Sequence, residues 1–406
     1  MKAPGKGQLE YHLLVLVTLG LVAFGLVMVY SATSGRAIVG EGDPSHYLER
    51  QAAYALMGLV ALVFCARLDF RALRHASGPL LVVAFFFLLA VLAIGTPVNG
   101  ARRWLPLGFF DFQPSELAKL ALALWVATVL SRRGPPRTLG ELFRPLGIVV
   151  GAACALILVE PDLGTVIAVV IMVGAMLVVS GVPMRLFAGA GALFGFLALA
   201  AIWIEPYRRT RLLSFLDPWS DPQGAGFQIV QATIALGSGG LTGVGLGESV
   251  QKIYYLPEAS TDMIFAIVGE ELGLLGAAAV IGAFALFGYA GFNVGLRCRD
   301  PFGKRLAAGL TALVLGQAAV NLSAVMGLAP LTGIPLPFVS YGGSSLIVSL
   351  ASVGILLNIA VSHAVQVSPV EVPDRRRRDG RARAAVARGR GGTDGQRRRR
   401  HVRGVA

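Results

Sequence analysis

Ten apolar segments, most of them long enough to cross a bilayer, constrain this chain more than any other feature. A helix needs about 20 apolar residues to span the hydrocarbon core, where helices and closed barrels alone satisfy their own backbone hydrogen bonds. The segments lie at roughly 13–30, 50–66, 78–95, 114–131, 145–159, 163–181, 186–204, 263–294, 305–327 and 345–364. We therefore predict an all-α polytopic membrane protein with ten transmembrane helices and a large extracytoplasmic loop, 205–262, between helices 7 and 8.

The distribution of lysine and arginine predicts the orientation, because these residues are retained on the cytoplasmic side. With the N-terminus inside, fourteen of them fall in the inner segments ahead of residue 365, and seven fall in the outer segments. Residues 1–11 are then a cytoplasmic N-terminus, and both termini are predicted to be cytoplasmic. The first apolar run is too long for a typical cleaved signal peptide, so we interpret it as a retained helix.

The last stretch, 365–406, differs in composition from the rest of the chain. It holds thirteen arginines and few apolar residues, so we predict a basic, disordered cytoplasmic tail. A basic segment next to a last span is more typical of contact with anionic lipid or an acidic partner than of nucleic-acid binding. We expect no nucleic-acid partner.

The polar segments that are not simple basic loops all fall on the predicted outer side. They are 99–104 (NGARRW), 112–119 (FQPSELAK), 160–165 (EPDLGT), the 205–262 loop and 330–345 (PLTGIPLPFVSYGGSS). Ionisable side chains at a membrane are costly to keep and by default mark a functional site. The outer face is therefore predicted to carry the function.

Asp262 is the candidate catalytic residue, predicted to lie in the first turn of the eighth helix. A helix N-terminus stabilises its ionised form, while burial beside Tyr254, Tyr255 and Phe265 raises its pKa. Those opposing effects suit a general base, which works best with a pKa near ambient pH. The alternatives are a helix cap and a charge that only marks the interface.

Two further motifs carry candidate polar residues. Glu116 and Lys119 lie three residues apart and share one helix face, where they form either a local ion pair or part of a polar cavity. Ser115 precedes them at the predicted helix start. Asp162, in the EPDLGT turn, is interpreted first as a turn cap.

The 205–262 loop adds arginines to a face that otherwise has few. Arg208, Arg209 and Arg211 indicate an anionic ligand, because arginine binds phosphate in a bidentate manner, or else contact with a phospholipid headgroup. The glycine run 237–247 lacks the phosphate-loop pattern and is predicted to be a mobile loop or lid. Further along, Glu270 and Glu271 are expected to point into the helix bundle as structural partners.

Five motifs in this order resemble the SEDS family (shape, elongation, division, sporulation), and the likeness covers about residues 12–364. The motifs are NGARRW, FQPSELAKL, EPDLGT, YLPEASTDMIFAIVGEELG and PLTGIPLPFVSYGGSSL. The resemblance implies a ten-helix membrane domain that polymerises lipid II into peptidoglycan strands on the outer face of the cytoplasmic membrane.

By the same resemblance, Asp262 would deprotonate the 4-hydroxyl of the acceptor N-acetylglucosamine. That oxygen would attack the donor's anomeric carbon with inversion and displace undecaprenyl diphosphate. The substrate-binding candidates, from the motifs and from the outer loop, are Arg103, Trp104, Ser115, Glu116, Lys119, Asp162, Arg208, Arg209, Lys252 and Glu258. No histidine or cysteine spacing typical of a metal site occurs, and a divalent cation that shares the diphosphate is left open. Ser260 stands where many relatives have histidine.

The segment SVQKIYYLPEA resembles the FtsW and sporulation branch more than RodA, which implies septal synthesis. The resemblance further implies a class B penicillin-binding protein as transpeptidase partner, other divisome membrane proteins and membrane lipids, in the bacterial cytoplasmic membrane. The alternatives are a lipid II flippase, a RodA-type elongation polymerase and a non-catalytic scaffold.

Overall fold

The computed structural model describes residues 8–38, 44–98, 101–106, 108, 110–253 and 255–367. Its helices, in chain order, are α1 (Gln8–Ile38), α2 (Pro44–Arg67), α3 (Phe70–Ile94), α4 (Pro114–Arg133), α5 (Leu139–Leu142), α6 (Ile148–Val159), α7 (Leu163–Val179), α8 (Met184–Ile204), α9 (Pro206–Leu216), α10 (Phe227–Ser238), α11 (Ile264–Arg297), α12 (Pro301–Val325) and α13 (Gly343–Val367). Most of the predicted tail and the first seven residues lie outside the described part.

Nine spans in the described residues are long and apolar enough to cross a bilayer, with α5 and α6 together forming one of them. The predicted sixth span corresponds to α7, which has 17 residues. It is short because Asp162 caps its start and the chain turns at Gly181, where φ is +79°. The all-α membrane fold is confirmed, but the count of ten spans is not.

Helix boundaries follow local chemistry. Asp69 caps α3 and Asp300 caps α12, each accepting hydrogen bonds from the first backbone N–H groups of its helix. Proline occupies the first turn of α4. It lacks a backbone N–H, but N–H groups in the first turn have no hydrogen-bond partner within the helix, so no bond is lost.

A small antiparallel sheet between α3 and α4 was not predicted. Its strands, β1 (Thr96–Val98), β2 (Ala101–Pro106) and β3 (Asp111–Phe112), lie in the order β1-β2-β3. The first two strands pair with Thr96 opposite Trp104 and Pro97 opposite Arg102. The sheet therefore fixes the part of the NGARRW motif that the structure describes, residues 101–104, near the start of α4, on the predicted outer side.

The interior of the bundle is built around α12, which packs against α4, α7 and α11. In contrast, α8 lies at the edge of the bundle and buries one of its residues, Leu186. Large apolar side chains on α8, including Phe196 and Trp203, are more than 60% exposed in the protein alone and would contact lipid.

The long helix α11 is interrupted at Gly273, where φ is +65° and ψ is −162°. The glycine run 237–247 packs against this break. Four backbone hydrogen bonds join the two segments: Val244 N–H to Glu270 O, Gly245 N–H to Glu271 O, Leu274 N–H to Gly240 O and Leu275 N–H to Leu241 O. The run thus satisfies the backbone groups that the break exposes, which favours a fixed segment over the predicted mobile lid.

Candidate functional site

The sequence predicted Asp262 in the first turn of α11. In the structure it lies just ahead of that helix. The N-cap position is Met263, and the helix begins at Ile264. Asp262 keeps part of its surface accessible and is therefore half-buried. Protein atoms nevertheless surround its carboxyl closely enough to desolvate it. Thr261 Oγ1 lies 3.4 Å from Asp262 Oδ1 and donates a stronger bond, 2.8 Å long, to Glu258 Oε2.

The surroundings of Asp262 raise its pKa to about 7. Burial is the main cause, because the charged form loses solvation, and the neighbouring Glu258 carboxylate adds to it. The Arg211 guanidinium and the Thr261 hydroxyl oppose the shift. A carboxyl with such a pKa exchanges its proton near neutral pH, as a general base requires.

Two residues that the sequence did not place in the site lie against Asp262. Asn321 of α12 donates from Nδ2 to the Asp262 backbone carbonyl at 2.7 Å. Gly333 has φ of +71°, and a Cβ added there would lie 3.9 Å from Asp262 Oδ2. Neither Asn321 nor Gly333, which lies in the PLTGIPLP stretch, carries a sequence signal that points to this site.

Arg211, which acts electrostatically on Asp262, forms part of the wall of a cavity of about 370 Å³ whose lining does not include Asp262 itself. The lining mixes hydroxyl, amide and apolar groups with this one guanidinium. It consists of Thr210, Arg211, Ser214, Gly224, Ala225, Phe227, Gln228, Ile229, Pro257 and Leu331. The cavity is large enough for sugar rings and carries a cation suited to an anionic substituent.

Arg209 differs from Arg211 in its exposure. Arg209 is exposed on α9. The side chain of Arg208 lies outside the described part of the structure. Between the two whose side chains are described, Arg211 is the one that acts electrostatically on Asp262.

A second cluster of polar residues lies where β2 contacts the EPDLGT turn (160–165). Arg103 donates from Nε to the Glu160 carbonyl at 2.7 Å and from Nη2 to the Pro161 carbonyl, and Trp104 beside it is half-buried. Asp162 caps α7 by accepting from Thr165 N–H at 3.0 Å and Thr165 Oγ1 at 2.8 Å. The turn-capping interpretation of Asp162 is thus confirmed.

Glu160 is the residue of this turn whose chemistry the sequence did not predict. Its side chain is fully buried, and neither carboxylate oxygen has a hydrogen-bond partner. Burial and the nearby Asp162 raise its pKa to about 8, while Arg103 opposes the shift. The carboxyl is therefore mostly protonated at neutral pH.

Glu116 and Lys119 form a direct ion pair inside the bundle. Lys119 Nζ lies 2.8 Å from Glu116 Oε1, and both side chains are almost completely buried. The hydroxyl of Ser115 next to them is buried without a hydrogen-bond partner. The geometry agrees with the local ion-pair interpretation, and a substrate role for these residues stays a prediction.

Lys252 is buried rather than exposed to the outer face. Its Nζ lies 2.9 Å from Glu271 Oε1 and donates to the Gly247 carbonyl at 2.6 Å. Ser31 of α1 completes the contact by donating to Glu271 at 2.7 Å. Glu270 accepts from Val250 N–H and Ser249 Oγ. Both glutamates are buried structural partners, as expected, but their bonds go mainly to the 205–262 loop, to which Lys252 belongs.

Residues 11–364 match the family described as cell cycle protein, FtsW/RodA/SpoVE. The chain belongs to this family. The match covers the whole bundle from α1 into α13 and includes all five motifs. The resemblance inferred from those motifs is therefore confirmed.

Several relatives of this FtsW/RodA/SpoVE protein are similar over most of their length. A probable peptidoglycan glycosyltransferase FtsW of Geobacter sp. (strain M18) is 41% identical, over 86% of this chain and 96% of that protein. Its counterpart in Thioalkalivibrio sulfidiphilus (strain HL-EbGR7) is 42% identical, over 88% and 91%. Stage V sporulation protein E of Bacillus subtilis (strain 168) is 41% identical, over 86% and 96%.

Solved structures of the FtsW/RodA/SpoVE family share the fold. One is a chain from a study of how a peptidoglycan synthase complex coordinates polymerization and crosslinking. It is 32% identical, over 86% of this chain and 97% of that chain, with a TM-score of 0.73. RodA of Thermus thermophilus is 30% identical, over 86% and 96%, with a TM-score of 0.65.

Proposed function

We propose that this FtsW/RodA/SpoVE protein is a peptidoglycan glycosyltransferase that polymerises lipid II at the outer face of the bacterial cytoplasmic membrane. The observation that carries the proposal is the Asp262 carboxyl, with a pKa of about 7, under the electrostatic influence of Arg211, a residue that lines a cavity of about 370 Å³. The relatives named peptidoglycan glycosyltransferase FtsW support it.

In the proposed reaction, the ionised Asp262 accepts the proton of the acceptor's 4-hydroxyl. The oxygen forms a bond to the anomeric carbon of the donor from the face opposite the leaving group. The bond between that carbon and the diphosphate oxygen breaks, so the configuration inverts and undecaprenyl diphosphate leaves. General-base assistance of this kind contributes about 10²- to 10⁴-fold in rate.

Among the described side chains, Arg211 is the cation best placed to bind an anionic part of the substrate near Asp262. Its Nη1 lies 3.4 Å from the Leu331 carbonyl, which orients the guanidinium. The described residues contain no group of three or more His, Cys, Asp or Glu side chains placed to hold a metal ion. We assign the diphosphate to arginine contacts and write no step through a divalent cation.

The proposed partner is a class B penicillin-binding protein, which supplies the transpeptidase. The family's structure from a peptidoglycan synthase complex supports such a partner. The relatives named FtsW favour septal synthesis alongside other divisome membrane proteins over elongation of the RodA type. The proposed location is the cytoplasmic membrane, with multiple spans and both termini inside.

A lipid II flippase is the rival function. Its support from sequence was a set of polar residues within helices: Glu270, Glu271, Gln317 and Asn321. Three of them, both glutamates and Asn321, hydrogen-bond to the outer loops. Because these side chains are bonded to loops, they favour a fixed site at the predicted outer side over a polar path for transport. We therefore keep the polymerase proposal.

The polymerase proposal predicts that Asp262→Asn lowers lipid II polymerisation by about 10²- to 10⁴-fold, because the amide keeps the shape of the carboxyl and cannot accept the proton. The measurement is glycan chain formation by the purified protein with its transpeptidase partner. Asp217→Asn, which changes an exposed carboxylate of the same outer segment, is the matched control and should retain activity. Polymerisation by Asp262→Asn within threefold of the parent would falsify the proposal.

A further inference from the structure

Asn321 joins the two loops that form the candidate site. Its Nδ2 donates to the Asp262 carbonyl at 2.7 Å and to the Ile334 carbonyl at 2.8 Å. The first carbonyl belongs to the segment ahead of α11, and the second belongs to the 330–340 loop. Asn321 itself lies on α12 and is 2% exposed.

A buried amide on an interior helix is costly unless its donors are bonded. Asn321 uses both N–H groups on loop carbonyls and none on its own helix. Its Oδ1 has no hydrogen-bond partner. The amide is thus directed outward to the loops, and α12, which packs at the centre of the bundle, gives it a fixed base.

These bonds set the geometry around the reacting carboxyl. Asp262 has a short side chain, so a fixed backbone carbonyl leaves its carboxylate few positions. Ile334 follows Gly333, whose added Cβ would lie 3.9 Å from Asp262 Oδ2. One amide therefore fixes both the carboxylate and the loop wall that faces it.

We propose that Asn321 is a positioning residue for the glycosyl transfer, holding the Asp262 carboxylate in register with the 330–340 loop. This rests on the proposed function of Asp262. Asn321 does not contact the reacting atoms. A misplacement of about 1 Å at a reacting group is enough to cost about 10²-fold in rate.

The first test compares Asn321→Ala with Gln317→Ala in the full chain with its transpeptidase partner. Gln317 is equally buried and lies one turn away on the same helix, and its Nε2 has no hydrogen-bond partner. Asn321→Ala should lower kcat about 10- to 100-fold with KM within threefold, whereas Gln317→Ala should keep kcat within threefold. Asn321→Asp keeps the shape but removes both donors, and should lose activity like Asn321→Ala.

Two readouts separate positioning from a general loss of folding. Asn321→Ala should speed amide hydrogen exchange in both 258–263 and 331–336, and Gln317→Ala should not. The pH midpoint of the remaining activity should also move, because Asp262 shifts relative to Glu258 and Arg211. A folding defect alone changes the amount of active protein and leaves that midpoint in place.

The outcomes distinguish this proposal from the one it rests on. If Asp262→Asn is inactive while Asn321→Ala has the parent's kcat, pH midpoint and exchange rates, Asn321 has no positioning role and the polymerase proposal stands. Equal losses of kcat in Asn321→Ala and Gln317→Ala also overturn the role. Activity retained in Asp262→Asn overturns both proposals.

Discussion

The carboxyl of Asp262 lies between an anion and a cation that change its pKa in opposite directions. Burial is the main cause of the rise of the pKa to about 7, Glu258 adds to that rise, and Arg211 opposes it. The two neighbours therefore tune the fraction of Asp262 that is ionised at neutral pH.

This arrangement predicts the pH dependence of catalysis. The base must be ionised, so kcat/KM should fall about tenfold per pH unit below pH 7 and level off above it. Glu258→Gln removes the anion and should move the midpoint to lower pH, while Arg211→Gln should move it to higher pH. Glu248→Gln, at an exposed position of the same outer segment, is the control. Shifts of both variants in the same direction would contradict this account.

At this scale, the sequence predicted residue types better than contacts. Asp262 was identified from its motif and its place at a helix mouth, and Glu116 with Lys119 from their spacing. The bond from Asn321 to Asp262 joins residues 59 positions apart. The apolar pattern of a helix does not predict which loop a given face of that helix contacts. The contact between Asn321 and Asp262 was therefore not predictable from the residues around either one.

Among the elements, α11 shows how irregular backbone is accommodated at membrane depth. The break at Gly273 exposes carbonyl and N–H groups, and the glycine run 237–247 pairs with them. Gly243 and Gly273 approach so closely that a Cβ on either would meet backbone atoms at 2.4 Å or less. Glycine is required here for close approach as well as for its positive φ.

Gly273→Ala should therefore destabilise the protein by about 1–3 kcal/mol from backbone strain, with the backbone overlap adding to that loss. Gly282→Ala is the matched control, because Gly282 lies on the same helix with open space around its Cβ position. Alanine there should be neutral or stabilising by up to about 1 kcal/mol. Thermal unfolding of the purified variants measures both. Equal stability of the two variants would show that a Cβ at position 273 does not strain the break, contrary to this prediction.

For the whole molecule, the charge distribution predicts which loops face the cytoplasm. Arg209, ahead of α10, is exposed on the predicted outer side, and Arg299, between α11 and α12, is exposed on the predicted inner side. A membrane-impermeant maleimide added to intact spheroplasts should label Arg209→Cys. It should label Arg299→Cys only after permeabilisation, with the parent chain as control for its three native cysteines. The reverse pattern would invert the proposed topology and place Asp262 on the wrong side.

The fold was predictable where apolar length decides the structure. Nine of the predicted spans were recovered, whereas α7 falls short because a capped turn and a glycine turn limit its ends. The sheet β1–β3 and the helices α9 and α10 were not predicted. They are short, and packing against the outer ends of the bundle stabilises them more than any periodic pattern does.

The buried contact of Lys252 with Glu271 has a consequence for biosynthesis. A lone carboxylate is costly in hydrocarbon, and breaking a buried pair leaves about 3–5 kcal/mol uncompensated. Lys252 precedes Glu271 by 19 residues, so the ammonium leaves the ribosome before its counterion. We expect Lys252 to be on the predicted outer side before α11 inserts, so that Glu271 can be paired as that helix enters the lipid.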